Sequence, residues 1–428
     1  MTRKAWGLVI ASVLVSVILI EGQVFATGEG ERKKIVVFQD GISSEVQQMV
    51  VALSGSTVVH TLSFINALAI APPALNSDQA LAFLLNYKLP LTNTLVVVGV
   101  YDDLVVSVLP ITPALPGEVP LTETYDWGLA HIGVDVAHQE MPTVTGAGVK
   151  VAIVDTGVGP HLDLPMIVEG FNALPGGVLY YDDHGHGTHI AGIIAARING
   201  LGIIGAAPLA SIVAVKVLDA YGKGYLSDLL YGLQWIYNNQ IQKQIWLVNM
   251  SLGFSADSVP LQRAIKLLYD RGTLMVASAG NSCSDSPDQS ESGGDAGEGA
   301  TCDALQTGVK YPARYPWVLA VAATDYANQI TTYSLAGAEV DIAAPGGIHT
   351  GARILSTYLG GWYGYGSGTS QAAAHVTGAL ALKLQQQPQR SLNQVRVLLQ
   401  HTATNLGYPA TQQGWGLIAV EPLLAAPQ

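Results

Sequence analysis

Short runs of apolar residues alternate with amphipathic stretches along the chain after position 125. Runs typical of buried strands cover 149–154, 212–217, 246–250, 274–277 and 318–322. Apolar residues recur at helical spacing over 226–237, 261–271 and 370–386. Strands without polar alternation, separated by helices, are typical of a parallel sheet covered on both faces. The pattern therefore predicts a doubly wound α/β domain over residues 125–428.

The stretch 31–109 has a different pattern, with shorter elements in a compact order. Strands are predicted over 35–38, 58–62, 67–71, 95–100 and 104–109, and helices over 44–53 and 77–87. Asn76 or Ser77 is able to cap the second helix. Strand, helix, two strands, helix and strand, followed by one extra strand, indicate a small α+β domain of ferredoxin-like type.

A proline-rich stretch, 110–124, separates these two domains. Its prolines are Pro110, Pro113, Pro116 and Pro120. Proline at this density blocks helices and central strands, so we predict an extended, exposed linker. Proteolytic nicking concentrates in such linkers.

The first 26 residues resemble an export signal. Arg3 and Lys4 precede an uncharged apolar run over 6–20, and Val24-Phe25-Ala26 offers small residues for cleavage. The alternative is an uncleaved anchor, although the run is short for a span of about 20 residues. No other stretch of the sequence is long and apolar enough to span a membrane. We therefore predict a signal peptide at 1–26, secretion, and no stable membrane association.

Charge and cysteine content narrow the picture further. The formal net charge of −12 disfavours nucleic acid, whose binding needs clustered Lys and Arg. Cys283 and Cys302 lie in a polar segment, 282–309, that is rich in Gly, Ser, Asp and Glu. They would be free thiols in a cytosolic protein and could pair in an exported one, and we expect a disulfide.

The acidic residues of this segment are expected to favour basic substrate residues or to bind a cation.

Three segments supply the parts of a serine nucleophile. A serine hydroxyl needs a base within hydrogen-bonding reach, and the base needs an orienting group. Asp155 ends a predicted strand, His186 precedes an apolar helical run, and Ser370 begins a predicted helix.

The chain also contains one Asp-Thr-Gly motif, whereas an aspartic protease needs two such loops or a short dimerising chain. A metal cluster is the other alternative, with candidate ligands Asp182, Asp183, His184, His186 and His189.

Five motifs around these residues resemble the signature blocks of the subtilase family, in the family's order and at similar spacing. They are VAIVDTGV, HGHGTHIAGIIAA, VNMSLG, ASAGN and GSGTSQAAAHVTG. Five ordered blocks are far more specific than any single one. The resemblance extends from near Tyr125 to the end of the chain. It implies a serine endopeptidase that acts on proteins or peptides, needs no catalytic cofactor and is monomeric.

The resemblance also implies a role for each matching residue. Ser370 is the nucleophile, His186 the general base and acid, and Asp155 the group that orients the imidazole. The Asn281 side chain and the Ser370 N–H form the oxyanion hole. Two segments would hold a peptide as an added strand, with a third beside Asn281 completing the substrate-binding set. These residues are Gly222, Lys223, Gly224, Ser251, Leu252, Gly253, Ser278, Ala279 and Gly280.

A structural Ca²⁺ site is implied in the same way. Asp163 and Asn199 match family ligands, together with the carbonyls of Arg197, Leu201 and Ile203. The alternative is a capped loop without metal.

The 31–109 domain resembles the family's inhibitory propeptide by position and element order. That resemblance implies a folding template and temporary inhibitor whose tail threads the cleft, with self-cleavage in the linker. The alternative is an independent binding domain.

Two residues depart from the family pattern near the nucleophile. Gln371 replaces a usual Met, and Ala374 a usual Pro that would lack an N–H in the first turn of the helix. Ser370 could shift slightly, which puts catalytic efficiency in question. A catalytically inactive scaffold that keeps the fold is therefore the rival to an active enzyme.

Overall fold

A computed structural model describes residues 33–115, 119, 122–165, 167–282, 308–348, 351–388 and 391–427. The predicted signal peptide at 1–26 and the predicted Cys283–Cys302 disulfide lie outside these residues, as does most of the acidic segment.

The N-terminal elements form an antiparallel four-stranded sheet with two helices. They are β1 (Lys34–Phe38), α1 (Ser44–Leu53), β2 (Thr57–Leu62), β3 (Ala67–Ala71), α2 (Ser77–Asn86) and β4 (Val97–Asp102). The strand order is β2-β3-β1-β4, and every neighbouring pair is antiparallel. Ser43 caps α1, since its hydroxyl accepts a hydrogen bond from the Val46 N–H. The Asn76 side chain makes no such bond at α2.

Both faces of this small sheet are buried, which explains the unbroken apolar sequence of β1. Val36 and Phe38 point to the face covered by α1 and α2. Ile35 and Val37 point to the opposite face and join a core shared with residues after position 210. Successive side chains of a strand alternate between faces, so the N-terminal sheet is packed between its own helices and the rest of the chain.

Three short strands follow, β5 (Val105–Ser107), β6 (Thr112–Pro113) and β7 (Thr124–Tyr125). The described residues 110–115 of the linker are extended, but they are not wholly exposed. Ile111 is 6% exposed, and the Ala114 N–H donates to the Tyr363 carbonyl at 3.0 Å. Pro110 and Pro113 have no backbone N–H to donate. The residues between and after them still form backbone hydrogen bonds as an edge strand.

The remaining described elements alternate strands and helices. They are α3 (Trp127–His131), α4 (Val134–Glu140), β8 (Lys150–Asp155), β9 (Ile167–Asn172), α5 (His186–Ala195), β10 (Ile203–Ile204), β11 (Ser211–Lys216), β12 (Lys223–Tyr225), α6 (Leu226–Lys243), β13 (Ile245–Met250), α7 (Val259–Asp270), β14 (Leu274–Ser278), β15 (Leu319–Thr324), β16 (Val340–Pro345), β17 (Ile354–Thr357), β18 (Tyr363–Gly366), α8 (Thr369–Gln386), α9 (Leu392–Thr402), α10 (Ala410–Gln413) and α11 (Val420–Ala425).

Seven of these strands form one parallel sheet in the order β16-β15-β14-β13-β8-β11-β9. This confirms the predicted doubly wound α/β fold. The sequence pattern missed the two edge strands, β9 and β16, because each carries polar residues. Asp341 in β16, for example, accepts hydrogen bonds from the Arg396 guanidinium and the Ala320 N–H.

The core lies on both faces of the parallel sheet. In β8, Val151 and Ile153 belong to the core that contains α5 and α8, whereas Ala152 and Val154 belong to the core that contains α6 and α7. Helix α8 is buried along most of its length, which accounts for its many small residues. No helix among the described residues is both long and apolar enough to cross a membrane.

Candidate active site

Asp155 is the last residue of β8, at the carboxyl end of the parallel sheet. Its carboxylate is fully buried, and Oδ1 accepts a hydrogen bond from the Thr156 N–H at 2.7 Å. Gly157 follows with a φ of +101°, and a Cβ there would lie 2.5 Å from the Tyr180 carbonyl oxygen. This turn therefore requires glycine. It directs the chain away from the sheet after Asp155, which remains at the end of β8.

His186 begins α5 and contacts Asp155 directly. Its Nδ1 lies 2.8 Å from Asp155 Oδ1, and both side chains are almost completely buried. The carboxylate selects the tautomer with a proton on Nδ1, which leaves Nε2 as the acceptor. Nε2 has no hydrogen-bond partner among the described residues. The pair thus has the geometry of a base held by an orienting carboxylate.

Ser370 is the second residue of α8 and is tied to the end of β13. Its Oγ donates to the Ser251 carbonyl at 3.1 Å, and the Ser251 hydroxyl donates to the Ser370 carbonyl at 2.9 Å. Asn249 Nδ2 donates to the same Ser251 hydroxyl. The hydroxyl of Ser370 therefore has Ser251 O, not His186 Nε2, as its partner in this structure.

Asn281 lies beside the first turn of α8. Its Oδ1 accepts hydrogen bonds from the Thr369 N–H and the Thr369 hydroxyl, both at 3.0 Å. Because the oxygen is engaged, the amide nitrogen is the end of the side chain left to donate. The N–H of Ser370 is one of the first N–H groups of the helix, which lack intrahelical acceptors. Two donors of this kind can stabilise a developing oxyanion.

Three side chains of the alternative metal cluster, those of Asp182, Asp183 and His189, already have other partners. Asp182 caps α5, accepting from the Thr188 N–H and hydroxyl, and Asp183 pairs with Lys216 at 2.6 Å. His189 Nε2 donates to the carbonyls of Ile354 and Gly364, and burial lowers its pKa to about 3. Within the described ranges no group of three or more His, Cys, Asp or Glu is arranged to hold a metal. These contacts support the serine interpretation of the cluster.

The two predicted substrate-binding segments flank a strand of the chain itself. Antiparallel pairs join Tyr225 to Val105, Gly224 to Val106 and Lys223 to Ser107. The Val108 N–H donates to the Gly222 carbonyl, and Ser107 also forms an antiparallel bridge with Gly253. Residues 105–108 therefore lie between 222–225 and 253 as an added strand. Leu252, next to the bridge, is buried.

The third predicted segment, Ser278 to Gly280, connects β14 to Asn281. The Gly280 N–H donates to the Thr369 hydroxyl at 3.1 Å, and the Ala279 carbonyl accepts from the Lys310 N–H at 2.8 Å. The segment thus joins the start of α8 to residue 310.

The predicted calcium residues also come together in one loop region. Asp163 Oδ2 accepts hydrogen bonds from the Ile203 N–H and the Tyr363 hydroxyl, and its backbone carbonyl accepts from the Arg197 N–H. Asn199 Oδ1 accepts from the Leu201 N–H. Asp163 Oδ1 is buried and has no partner among the described residues, and burial raises the pKa of this carboxyl.

Sequence reasoning missed two residues that contact these sites. Glu123 Oε1 accepts hydrogen bonds from the N–H groups of Asn199 and Gly200, at 2.5 and 2.8 Å. Lys310 packs against Gly253 and Gly280. No local pattern marks either residue, because each reaches its site only through tertiary contacts.

The helix register corrects one detail. Helix α8 begins at Thr369, so Ala374 is its sixth residue and lies in the second turn, beyond the first turn that the sequence indicated. Gln371 is 1% exposed, and its side-chain amide nitrogen lies close to Gly366.

Comparisons with known proteins identify the family of the chain. A family model described as the subtilase family, peptidase S8, matches residues 146–416. The chain is 38% identical over 301 residues to a thermostable alkaline protease of Halalkalibacterium halodurans, covering 70% of this chain and 74% of that protein. It is 39% identical to Subtilisin BL and 40% identical to Subtilisin Savinase of Lederbergia lenta, in each case over 70% of this chain and 98% of the relative. The chain therefore belongs to the subtilase family of serine proteases.

Proposed function

We propose that this protein is a secreted serine endopeptidase, made as a self-processing precursor, in which Asp155, His186 and Ser370 are the catalytic triad. The observation that carries the catalytic proposal is the buried 2.8 Å contact between Asp155 Oδ1 and His186 Nδ1, which leaves Nε2 as an unpaired acceptor. Most buried polar atoms are hydrogen-bonded, and a ring nitrogen left unpartnered opposite an orienting carboxylate is suited to accept a proton.

The reaction follows from the order of these groups. Ser370 Oγ leaves the Ser251 carbonyl, gives its proton to His186 Nε2 and attacks the substrate carbonyl carbon. Asn281 Nδ2 and the Ser370 N–H stabilise the resulting oxyanion. The imidazolium, stabilised by Asp155, then protonates the leaving amine. Water attacks the acyl-enzyme in the same way and releases the second product.

Residues 31–109 are proposed to be the inhibitory propeptide. Support comes from the strand β5 between the substrate-binding segments, and from a polar interface with α6. Asp103 accepts from the Ser227 N–H and hydroxyl, both at 2.7 Å. His60 Nε2 lies 2.8 Å from Asp228 Oδ1 in a buried contact. With the shared apolar core, these contacts favour an inhibitor over an independently moving binding domain.

The register of β5 identifies the bond nearest the nucleophile. Ser107 opposes Gly253, so the same antiparallel register sets Leu109 opposite Ser251, whose carbonyl contacts Ser370 Oγ. The bond presented is then Leu109–Pro110. Proline after a cut disfavours cleavage, because its nitrogen carries a ring in place of the hydrogen. The maturation cut is therefore proposed within the linker, after Pro110 and before Tyr125.

A Ser370→Ala precursor tests catalysis and maturation together. Expressed in a host without other secreted proteases, it should accumulate uncut apart from signal removal, because the mutation removes the nucleophile but little volume. The wild type should yield a mature chain that starts shortly before Tyr125 and a fragment the size of a small domain. Intact-mass measurement identifies the products of the variant and of the wild type. The control is Ser391→Ala, at the N-terminus of α9, which should be processed normally.

Two results would contradict this proposal. If Ser370→Ala is cut at the wild-type bond, maturation is not autocatalytic. If the wild type is never cut and a fluorophosphonate probe never labels Ser370, the inactive scaffold is correct.

A structural Ca²⁺ is proposed at Asp163, Asn199 and the carbonyls of residues 197, 201 and 203. The unpartnered, buried Asp163 Oδ1 supports this proposal, because calcium prefers oxygen ligands from carboxylates, amides and loop carbonyls. Bound calcium would compensate the buried carboxylate and hold the loop against β7.

Thermal unfolding of the Ser370→Ala protein tests the calcium site. A chelator should lower Tm, added Ca²⁺ should restore it, and Asp163→Asn should abolish the response. Asp270→Asn, an exposed carboxylate in α7, should leave the response intact. A Tm indifferent to chelator and calcium would favour the capped loop without metal.

A further inference from the structure

The strand β5 shows where a substrate residue preceding the cut would lie. Ser107 of β5 forms an antiparallel bridge with Gly253. Continued by two residues, the same register sets residue 109 opposite Ser251, whose carbonyl contacts Ser370 Oγ. In the chain itself this position is Leu109. We call it the pre-cut position, and its use here rests on the proposed protease function.

The side chain at the pre-cut position points to the same face of the strand as that of Ser107, two residues earlier. Directly opposed residues of an antiparallel pair share a face, so a Cβ on Gly253 would point the same way as Ser107. Such a Cβ would lie 3.2 Å from Lys310 Cβ and 3.6 Å from Lys310 Cδ. Lys310 is therefore on the face toward which a pre-cut side chain projects.

Two glycines hold the stem of Lys310. Besides Gly253, it packs against Gly280, where an added Cβ would be 2.7 Å from Cγ and 2.9 Å from Cδ of the lysine. Gly280 has a φ of +104°, so this backbone favours glycine. The backbone of Lys310 is fixed as well, through its N–H to the Ala279 carbonyl. The stem thus lies between two of the three predicted substrate-binding segments.

Among the described residues, no charged or hydrogen-bonding group contacts the ammonium of Lys310. Burial lowers its pKa from the ordinary lysine value. A partly buried cation without a counter-charge has lost hydration without compensation. A carboxylate entering this face would provide that compensation.

We propose that Lys310 is a specificity-determining residue that selects substrates with an acidic side chain at the pre-cut position. A glutamate there would reach the ammonium and form an ion pair with it. Leu109, which occupies this position in the chain itself, lacks this charge, and Pro110 follows it. The chain's own strand is therefore a poor substrate on two counts, as suits an inhibitor.

This proposal has the opposite sign to the preference for basic residues expected from the acidic segment 282–309. Lys310 lies against Gly253 and Gly280, within the substrate-binding set. A charge that contacts the pre-cut side chain acts at short range, where salt screens it least.

The test uses the mature enzyme and four peptides that differ only at the pre-cut residue, Glu, Gln, Leu or Lys. We expect kcat/KM for Glu to exceed that for Gln about tenfold or more, the range expected for one charge-assisted contact. Lys310→Gln should reduce the Glu-to-Gln ratio to about one, and Lys310→Glu should favour the Lys peptide. Lys266→Gln, an exposed lysine in α7, makes the same charge change and should keep the wild-type ratio.

The outcomes separate this inference from the proposed function. Fluorophosphonate labelling of Ser370 in each variant checks that the site is folded. Labelled wild type that cuts Gln or Lys peptides as well as Glu overturns the role of Lys310, as does a ratio unchanged in Lys310→Gln. Absence of both labelling and cleavage for every peptide overturns the protease function, and this inference with it.

Discussion

At the scale of single residues, the surroundings of Ser370 differ from the family pattern in a chemically defined way. Gln371 follows Ser370, the proposed nucleophile, and is 1% exposed. Methionine at this place would oxidise to a bulky, polar sulfoxide within a closely packed helix start. Met250 lies in the interior of the parallel sheet, in β13, whereas position 371 lies at the start of α8 beside the candidate site.

Activity should therefore survive mild peroxide. Mature enzyme treated with dilute H₂O₂ should retain most of its activity on a peptide substrate, because glutamine does not oxidise under these conditions. Gln371→Met is the matched variant and should lose activity with time as its mass rises by one oxygen. Rapid loss in the wild type, or a Gln371→Met enzyme that is equally resistant, would contradict this explanation.

At the scale of elements, the site is assembled from the ends of strands and the starts of helices. Asp155 ends β8, His186 begins α5, and Ser370 lies at the start of α8. Among the described residues, β12 and residue 253 both pair with one extended segment that lies between them. That segment contains β5, and the chain then continues past Pro110 to pair β6 with β18.

Removing Pro110 should change where the precursor is cut. In Pro110→Ala the bond after Leu109 gains an ordinary secondary amide, whose nitrogen His186 can protonate, so a fragment ending at Leu109 should appear. Intact-mass measurement of the secreted products identifies the bond. Pro113→Ala, in β6, should keep the wild-type cut. A Pro110→Ala precursor that is cut only at the wild-type bond would refute the proposed register.

At the scale of the whole molecule, buried titratable groups make stability depend on pH in opposing ways. Burial lowers the pKa of His375 to about 4 and raises that of Asp126 to about 7. The folded protein therefore holds a neutral histidine that the unfolded chain protonates below its ordinary pKa near 6.5. It also binds a proton at Asp126 that the unfolded chain releases above about 3.9.

Single variants should separate these two contributions. Between pH 6.5 and 5, His375 costs the folded state about 2 kcal/mol, because the unfolded chain binds the extra proton. Asp126 acts oppositely, and its contribution falls as pH rises from 5 to 7. In the Ser370→Ala background, His375→Asn should thus lose less stability on acidification than the parent, and Asp126→Asn more. Urea unfolding at each pH measures this, and parallel pH profiles for all three proteins would refute it.

Much of the fold could be predicted because local pattern reports burial. The apolar run of β8 indicates a strand covered on both faces, and glycines beside Asp155 and His186 mark turns where the chain leaves the sheet. The carboxyl ends of parallel strands meet at one edge, so candidate residues at those ends could be grouped without coordinates. The sequence by itself thus determined the α/β class, helices α1, α2, α6, α7 and α8, five of the seven strands of the parallel sheet, and the candidate triad.

Contacts between distant segments were decided only by the tertiary structure. The pairing of β5 with β12 joins residues more than 100 positions apart, and Lys310 reaches Gly253 and Gly280 from a separate loop. Glu123 contacts the Asn199 loop in the same way. Such contacts depend on which sheet edges and backbone gaps remain free after the core has packed. Local periodicity cannot predict which segments come into contact. It reflects only whether each residue is buried, and not which residues bury it.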